Sequence, residues 1–168
     1  MNIVLIGMPG CGKSTVGVLL AKSMLCDFVD TDLIIQNKYK KSLCEIINAD
    51  GVEGFTEKEN ITLAELNCEN SVIATGGSAV YCKEGMENLK KDGIVIYLKL
   101  SVEEIEKRIK NIKTRGIAMK EGTTLEELYQ ERSALYEHYA DIVINCHNTT
   151  AEECVNMIIE RVMSNQAL

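Results

Sequence analysis

The run Gly7-Met8-Pro9-Gly10-Cys11-Gly12-Lys13-Ser14-Thr15 holds the residue types that chemistry on phosphate requires. Its glycines let backbone N–H groups curl toward one point, and its lysine brings a positive charge to that point. Gly7, Gly12, Lys13 and Ser14 satisfy the spacing G-x-x-x-x-G-K-[ST] in full. Such a loop cradles nucleotide phosphates, here with Gly7, Gly10, Cys11, Gly12 and Thr15 around them. Lys13 neutralises the β- and γ-phosphates, and the Ser14 hydroxyl can ligate Mg²⁺. Cys11 has two readings: a small residue that fits the loop, or a thiol at a helix N-terminus whose oxidation blocks the nucleotide site.

Three further groups of residues carry potential chemistry. In "DFVDTD", Asp30 and Asp32 stand two apart, and in an extended segment their carboxylates point the same way. Asp30 can hold a water on Mg²⁺, and Asp32 can accept from a substrate hydroxyl; a helix cap over Thr31 and Asp32 is the structural alternative. In "ATGGSAV", Gly76 and Gly77 admit close backbone approach to a ligand, with Ser78 beside them. The chain has fourteen lysines but four arginines, and Arg108, Arg115 and Arg132 fall within one stretch of 25 residues. Arginine is suited to bidentate contact with phosphate and carboxylate.

These residues must be positioned by elements that the hydrophobic pattern makes legible. "NIVLIG" is a short apolar run closed by glycine and predicts a buried strand. Residues 13–25 have helical spacing; strands are expected at 27–30, within 71–77 before a turn, at 93–100 and at 140–145. Helices are expected at 31–41, after Ser42 as N-cap, at 53–67, 83–91, 101–110, 124–139 and 150–163. Ser101 and Glu104 form the pattern of a capping box. Five apolar strands separated by helices imply an α/β fold, a five-stranded parallel sheet with helices on both faces. In such sheets ligands bind beyond the carboxyl ends of the strands, where all the groups above fall. The length of 168 residues fits a single domain. A polar lid is expected at about 111–122 and a substrate-binding helical region at about 31–67.

The net charge of −7 argues against a protein that grips nucleic acid through its phosphates. The densest basic run, "KYKK" at 38–41, reads as a solvated helix end. Seven cysteines, an odd number without a C-x-x-C pair, suit free thiols in a reducing compartment better than disulfides or zinc. The N-terminus has no basic segment before "NIVLI", which is too short to span a membrane. A cytoplasmic monomer acting on a small molecule is expected, with no nucleic acid or membrane partner.

Among nucleotide proteins, a G-protein is disfavoured, since no Asp is followed three residues on by Gly and "NKYK" lacks the guanine-binding Asp. The remaining class is the small P-loop kinase, which needs a lid to exclude water and cations around the transferring group.

Taken together, "GMPGCGKST", "FVDTD", "GFTEKE", "ATGGSAV", the arginine-bearing segment and "ERSALYEHYADIVI" resemble the shikimate kinase family over almost the whole chain. The resemblance implies a P-loop, nucleoside-monophosphate-kinase-like fold, ATP and Mg²⁺ as cofactors, and transfer of phosphate to the 3-hydroxyl of shikimate. It also implies roles. Asp30 helps hold Mg²⁺, Asp32 binds substrate hydroxyls, and Gly76, Gly77 and Ser78 bind substrate. Arg108 stacks on adenine, Arg115 touches the transferring phosphate, and Arg132 holds the substrate carboxylate. Lys13, Asp32 and Arg115 form the catalytic set.

Two positions depart from the family. Thr56 stands where its F-R-x-x-E motif has a second carboxylate clamp, leaving Glu59 without that arginine, and Gly116-Ile117 replaces Pro-Leu after Arg115. Thr56 and Glu59 therefore bear on which acceptor is bound. Alternatives are a different small hydroxy acceptor and a non-catalytic nucleotide-binding regulator; the intact Lys13, Ser14, Asp30 and Asp32 weigh against the latter.

Overall fold

The computed structural model describes residues 1–109 and 116–165. Part of the expected lid, 111–115, and with it Arg115, lies outside the described residues; 116–122 lies inside them.

Strands β1 (Asn2–Ile6) and β3 (Ser71–Ala74) are buried at every position. Successive side chains of a strand point to opposite faces, so uninterrupted burial means that helices cover both faces of the sheet. With β2 (Asp27–Asp30), β4 (Gly93–Lys99) and β5 (Ile142–Asn145) they form one sheet in the order β2-β3-β1-β4-β5. Every pairing is parallel; Val4 of β1, for example, registers with Ile73 on one side and Val95 on the other. The edge strand β5 differs, with Ile142 and Ile144 buried and Val143 and Asn145 exposed.

The helices are α1 (Lys13–Met24), α2 (Thr31–Tyr39), α3 (Leu43–Ala64), α4 (Lys83–Lys91), α5 (Val102–Arg108), α6 (Leu125–Tyr139) and α7 (Ala151–Asn165). A 3₁₀ turn at Ala79–Tyr81, which the apolar pattern does not announce, follows β3. The chain winds to one side of β1 through β2 and β3, and to the other through β4 and β5. That reversal leaves a crevice at the carboxyl end of β1, where such sheets bind ligands. No helix among the described residues is long and apolar enough to cross a membrane.

Three local expectations need correction. The helices expected after Ser42 and from 53 run together as α3, bent at Gly51, whose φ of 72° and ψ of 178° are non-helical. Ser42 caps it through a complete capping box with Glu45. At α5 the box is only half made. Ser101 accepts from the Glu104 N–H, but the Glu104 carboxylate turns to the His147 ring and the Asn148 N–H beyond β5. Finally, Asp30 and Asp32 do not share one extended segment: β2 ends at Asp30, and Asp32 lies in the first turn of α2.

Candidate active site

The loop after β1 forms the floor of the site. Gly12 sits at the N-cap of α1 with φ 103°, a conformation that glycine tolerates and other residues rarely adopt. It supplies no side-chain cap, so the first-turn N–H groups of α1 open toward the loop as an anion site. Lys13 is only 8% exposed. Its ammonium donates to the carbonyls of Gly7 (2.7 Å) and Met8 (2.9 Å), with the Cys11 sulfur at 3.8 Å. Cys11 itself is buried beneath the loop.

Ser14 and Asp30 meet at one edge of this loop. The Ser14 hydroxyl donates to Asp30 Oδ2 at 2.9 Å. The other oxygen, Oδ1, accepts from the Asp32 N–H at 3.0 Å, which makes Asp30 the N-cap of α2. The cap is therefore Asp30 rather than Thr31 or Asp32, and the same carboxylate both starts a helix and faces Ser14. A hydroxyl and a carboxylate are hard oxygen donors of the kind Mg²⁺ takes together with water and phosphate. The pair thus fits that ion.

Asp32 and Glu59 form the acidic wall. Burial, then the neighbouring charge of Asp30, pushes the Asp32 carboxyl up to about 6, although Lys13 opposes this. Burial pushes Glu59, which has no exposed surface, up to about 7, against the hydrogen bond from Ser78 and the charge of Arg132. Glu59 Oε2 accepts the Ser78 hydroxyl at 2.5 Å. Asp32 Oδ1 and Glu59 Oε1 are buried and have no hydrogen-bond partner. Both lie against Gly76, where an added Cβ would fall 2.9 Å from the first and 2.5 Å from the second. Glycine is required there by close approach to two carboxylates.

Arg132 closes the far side. It is 1% exposed on α6, its Nη2 donates to the Ala118 carbonyl at 2.5 Å, and its guanidinium lies 5.4 Å over the Tyr81 ring. Its Nε has no partner. One turn further along α6, the Tyr136 hydroxyl donates to the Gly77 carbonyl at 2.6 Å and fixes the glycine turn. Tyr136 in turn stacks on Tyr97 of β4, their ring centroids 5.0 Å apart.

These walls enclose a cavity of about 410 Å³. Gly10, Gly12, Lys13, Ser14, Thr15, Asp32, Gly76, Gly77, Ser78, Arg108 and Arg132, all named from the sequence, line it. Arg108 reaches it from the end of α5, its Nη1 4.0 Å from where a Cβ on Gly12 would stand, and pairs loosely with Glu104 at 4.0 Å. Gly7, Cys11, Asp30 and Glu59 support the wall from behind. Thr56 is not in this cavity. It lines a second one, of about 430 Å³, which shares Ala118 and Arg132 with the lining of the first.

Pro9, Phe55, Thr75 and Ala118 were not anticipated as lining, nor Tyr81 and Tyr136 as supports. For Tyr136 the signal was present, since a residue four places after Arg132 shares its helix face. The others depend on contacts distant in sequence.

A phosphate-binding loop at the head of a five-stranded parallel sheet, facing a second, carboxylate- and arginine-walled compartment, defines a P-loop phosphotransferase of small molecules. The shikimate kinase family model matches residues 9–163. The shikimate kinase of Haemophilus influenzae is 36% identical over 165 residues, covering 96% of this chain and 92% of that protein. Among solved structures, the Acinetobacter baumannii shikimate kinase in complex with shikimate is 32% identical, covers 98% of this chain and 93% of its own, and superposes with a TM-score of 0.87. The Aquifex aeolicus shikimate kinase is 31% identical, covers 99% and 98% of the two chains, and gives a TM-score of 0.84. The chain belongs to the shikimate kinase family.

Proposed function

We propose that this chain transfers the γ-phosphate of ATP to a hydroxyl of shikimate. The observation that carries the acceptor is the convergence of Arg132, Asp32 and the P-loop on one cavity. A buried guanidinium with an unpaired Nε suits a carboxylate, and the Asp32 carboxylate suits a hydroxyl, both on one small molecule. The Acinetobacter baumannii relative solved with shikimate supports the same acceptor.

In this reading the loop amides and Lys13 hold the phosphates, and Arg108 lies against the nucleotide. Ser14 and Asp30 would hold Mg²⁺, which neutralises phosphate charge when bound. Asp32 takes the proton of the attacking hydroxyl as the new O–P bond forms and the bond to the ADP oxygen breaks. A carboxyl near 6 is ionised, and so able to accept that proton, at neutral pH and above. Gly76, Gly77 and Ser78 shape the acceptor's seat. Arg115, by its place in the sequence, supplies charge to the transferring group, so Arg115→Ala should lower kcat more than it weakens ATP binding.

A coupled ADP-release assay with shikimate and a panel of other hydroxy acids, amino alcohols and polyols tests the proposal. Turnover with shikimate and its loss in Lys13→Ala, with the fold retained by circular dichroism, is the expected result. Preference for another panel member would transfer the same chemistry to that acceptor. ADP release without any acceptor dependence would overturn the proposal.

A further inference from the structure

We infer that Glu104 is a positioning residue for the nucleotide: it ties Arg108, which lies against the phosphate loop, to the turn between β5 and α7, and so determines how tightly the nucleotide is held. This rests on the reading above in which Arg108 meets the nucleotide. Helices α3, α5, α6 and α7 are announced by one pattern, a Ser or Thr followed three residues later by Glu: Ser42 and Glu45, Ser101 and Glu104, Thr124 and Glu127, Thr150 and Glu153. In α3, α6 and α7 the carboxylate accepts from the N–H of its own cap residue, at 2.8 Å for Glu45, 2.8 Å for Glu127 and 2.7 Å for Glu153. That is the ordinary use of the residue, and it stabilises the helix start. Glu104 gives it up. Its Oε2 meets Nδ1 of the His147 ring, and its Oε1 accepts from the Asn148 N–H at 3.4 Å. Nothing in α5 itself calls for the exchange; its effect is to join α5 to the turn after β5.

Both ends of this link hold a position. The turn is braced from within: the His147 N–H donates to Asn145 Oδ1 at 3.1 Å, and the Thr149 hydroxyl donates to the Cys146 carbonyl at 3.0 Å. Asn148 takes a φ of 54°, a conformation that asparagine tolerates. At the other end, α5 has only seven residues, too few to keep its geometry without tertiary contacts. Ile105 and Ile109, four apart, bury one stripe in the core. Glu104 and Arg108, also four apart, form the adjacent stripe, with Arg108 Nη2 4.0 Å from Glu104 Oε1. This end of α5 presses on the phosphate loop, since a Cβ on Gly10 would stand 2.8 Å from Ile109 Cγ1 and 3.9 Å from the Arg108 Cβ. The buried isoleucines set how deep α5 sits. Glu104 sets how it is turned about its axis, and with it the direction of Arg108. A separation of 4.0 Å orients the guanidinium and leaves its N–H donors to the ligand.

Charge and position act in opposite directions at Glu104. It is an anion near a site for polyanions, so by charge alone its removal favours the nucleotide; as a positioning residue, its removal disfavours it. Titration calorimetry with Mg·ADP, without acceptor, reads the sign. Glu104→Ala should weaken Mg·ADP binding about tenfold, the scale of one charge-assisted hydrogen bond, and raise KM for ATP to match, with kcat at saturating ATP and KM for the acceptor near wild type. In Glu104→Gln the amide oxygen still accepts from the Asn148 N–H and the NH₂ donates to the His147 ring, so binding should be at least as tight as wild type. In an Arg108→Ala background, Glu104→Ala should cost nothing further, because the guanidinium it directs is gone. His147→Ala removes an exposed ring and should weaken binding in the same direction, which keeps the link testable if Glu104→Ala does not fold. Binding by Glu104→Ala as tight as wild type or tighter, equal weakening in Glu104→Gln, a loss that adds in full to that of Arg108→Ala, or unchanged binding in His147→Ala overturns the inference and leaves the nucleotide reading standing. Failure of the wild type to bind Mg·ADP removes the nucleotide reading, and this inference with it.

Discussion

At the residue scale, Asp30 and Asp32 divide two tasks that look interchangeable in the sequence. Asp30 faces the Ser14 hydroxyl and caps α2, whereas Asp32 lines the cavity with an unpartnered, buried oxygen. Asparagine keeps the shape of either residue and is itself a good N-cap. Asp30→Asn should therefore retain the helix start and lose charge beside Ser14. We expect a higher Mg²⁺ concentration for half-maximal rate, measured by titrating the metal at saturating ATP. Asp32→Asn should leave that titration unchanged and reduce kcat by about two to four orders of magnitude, the usual contribution of a positioned base. Equal shifts of the metal requirement in both variants would contradict this division.

At the scale of elements, the sheet was legible because β1 and β3 are short apolar runs and each is followed by a glycine-bearing turn. The P-loop was legible because its spacing is a local property. The acidic wall was only partly so. Residue types at 30, 32 and 59 were visible, but their mutual placement depends on β2 ending one residue before Thr31 and on α3 bending at Gly51. The second cavity was not legible at all, because its lining comes from α3, the 3₁₀ turn, the 118–123 segment and α6. The bend gives a clean prediction. Gly51 combines φ 72° with ψ 178°, a region essentially reserved for glycine, and a Cβ there would meet nothing within 4 Å. Gly51→Ala should therefore cost only backbone strain, about 1–3 kcal/mol in a denaturant melt. If α3 stays bent, acceptor KM stays near wild type. If the strain is relieved by straightening, Phe55 and Glu59 shift together, and KM rises with the loss of stability.

At the scale of the whole molecule, the site's acidic wall makes stability depend on pH in a direction opposite to that of paired surface carboxylates. Glu59 holds its proton to about 7 when folded, against an ordinary value of 4.5, and Asp32 to about 6 against 3.8. Between those values the folded state binds more protons than the unfolded chain. Stability contributed by the neutral forms is present at low pH, falls as pH rises through the window from about 4 to 7, and levels off above it. Glutamine at 59 keeps an oxygen for the Ser78 hydroxyl and cannot ionise. Glu59→Gln should thus match wild type near pH 4.5 and exceed it above pH 7 by up to about 3 kcal/mol, from 1.36 kcal/mol per pKa unit. Urea unfolding at a series of pH values measures the difference. A variant less stable than wild type at pH 8 would show instead that Arg132 holds Glu59 ionised and that the pair stabilises the fold. The same variant also separates stability from function. Removing a buried negative charge beside Arg132 leaves that guanidinium more available to an acceptor carboxylate, so shikimate KM above pH 7 should fall in Glu59→Gln as stability rises.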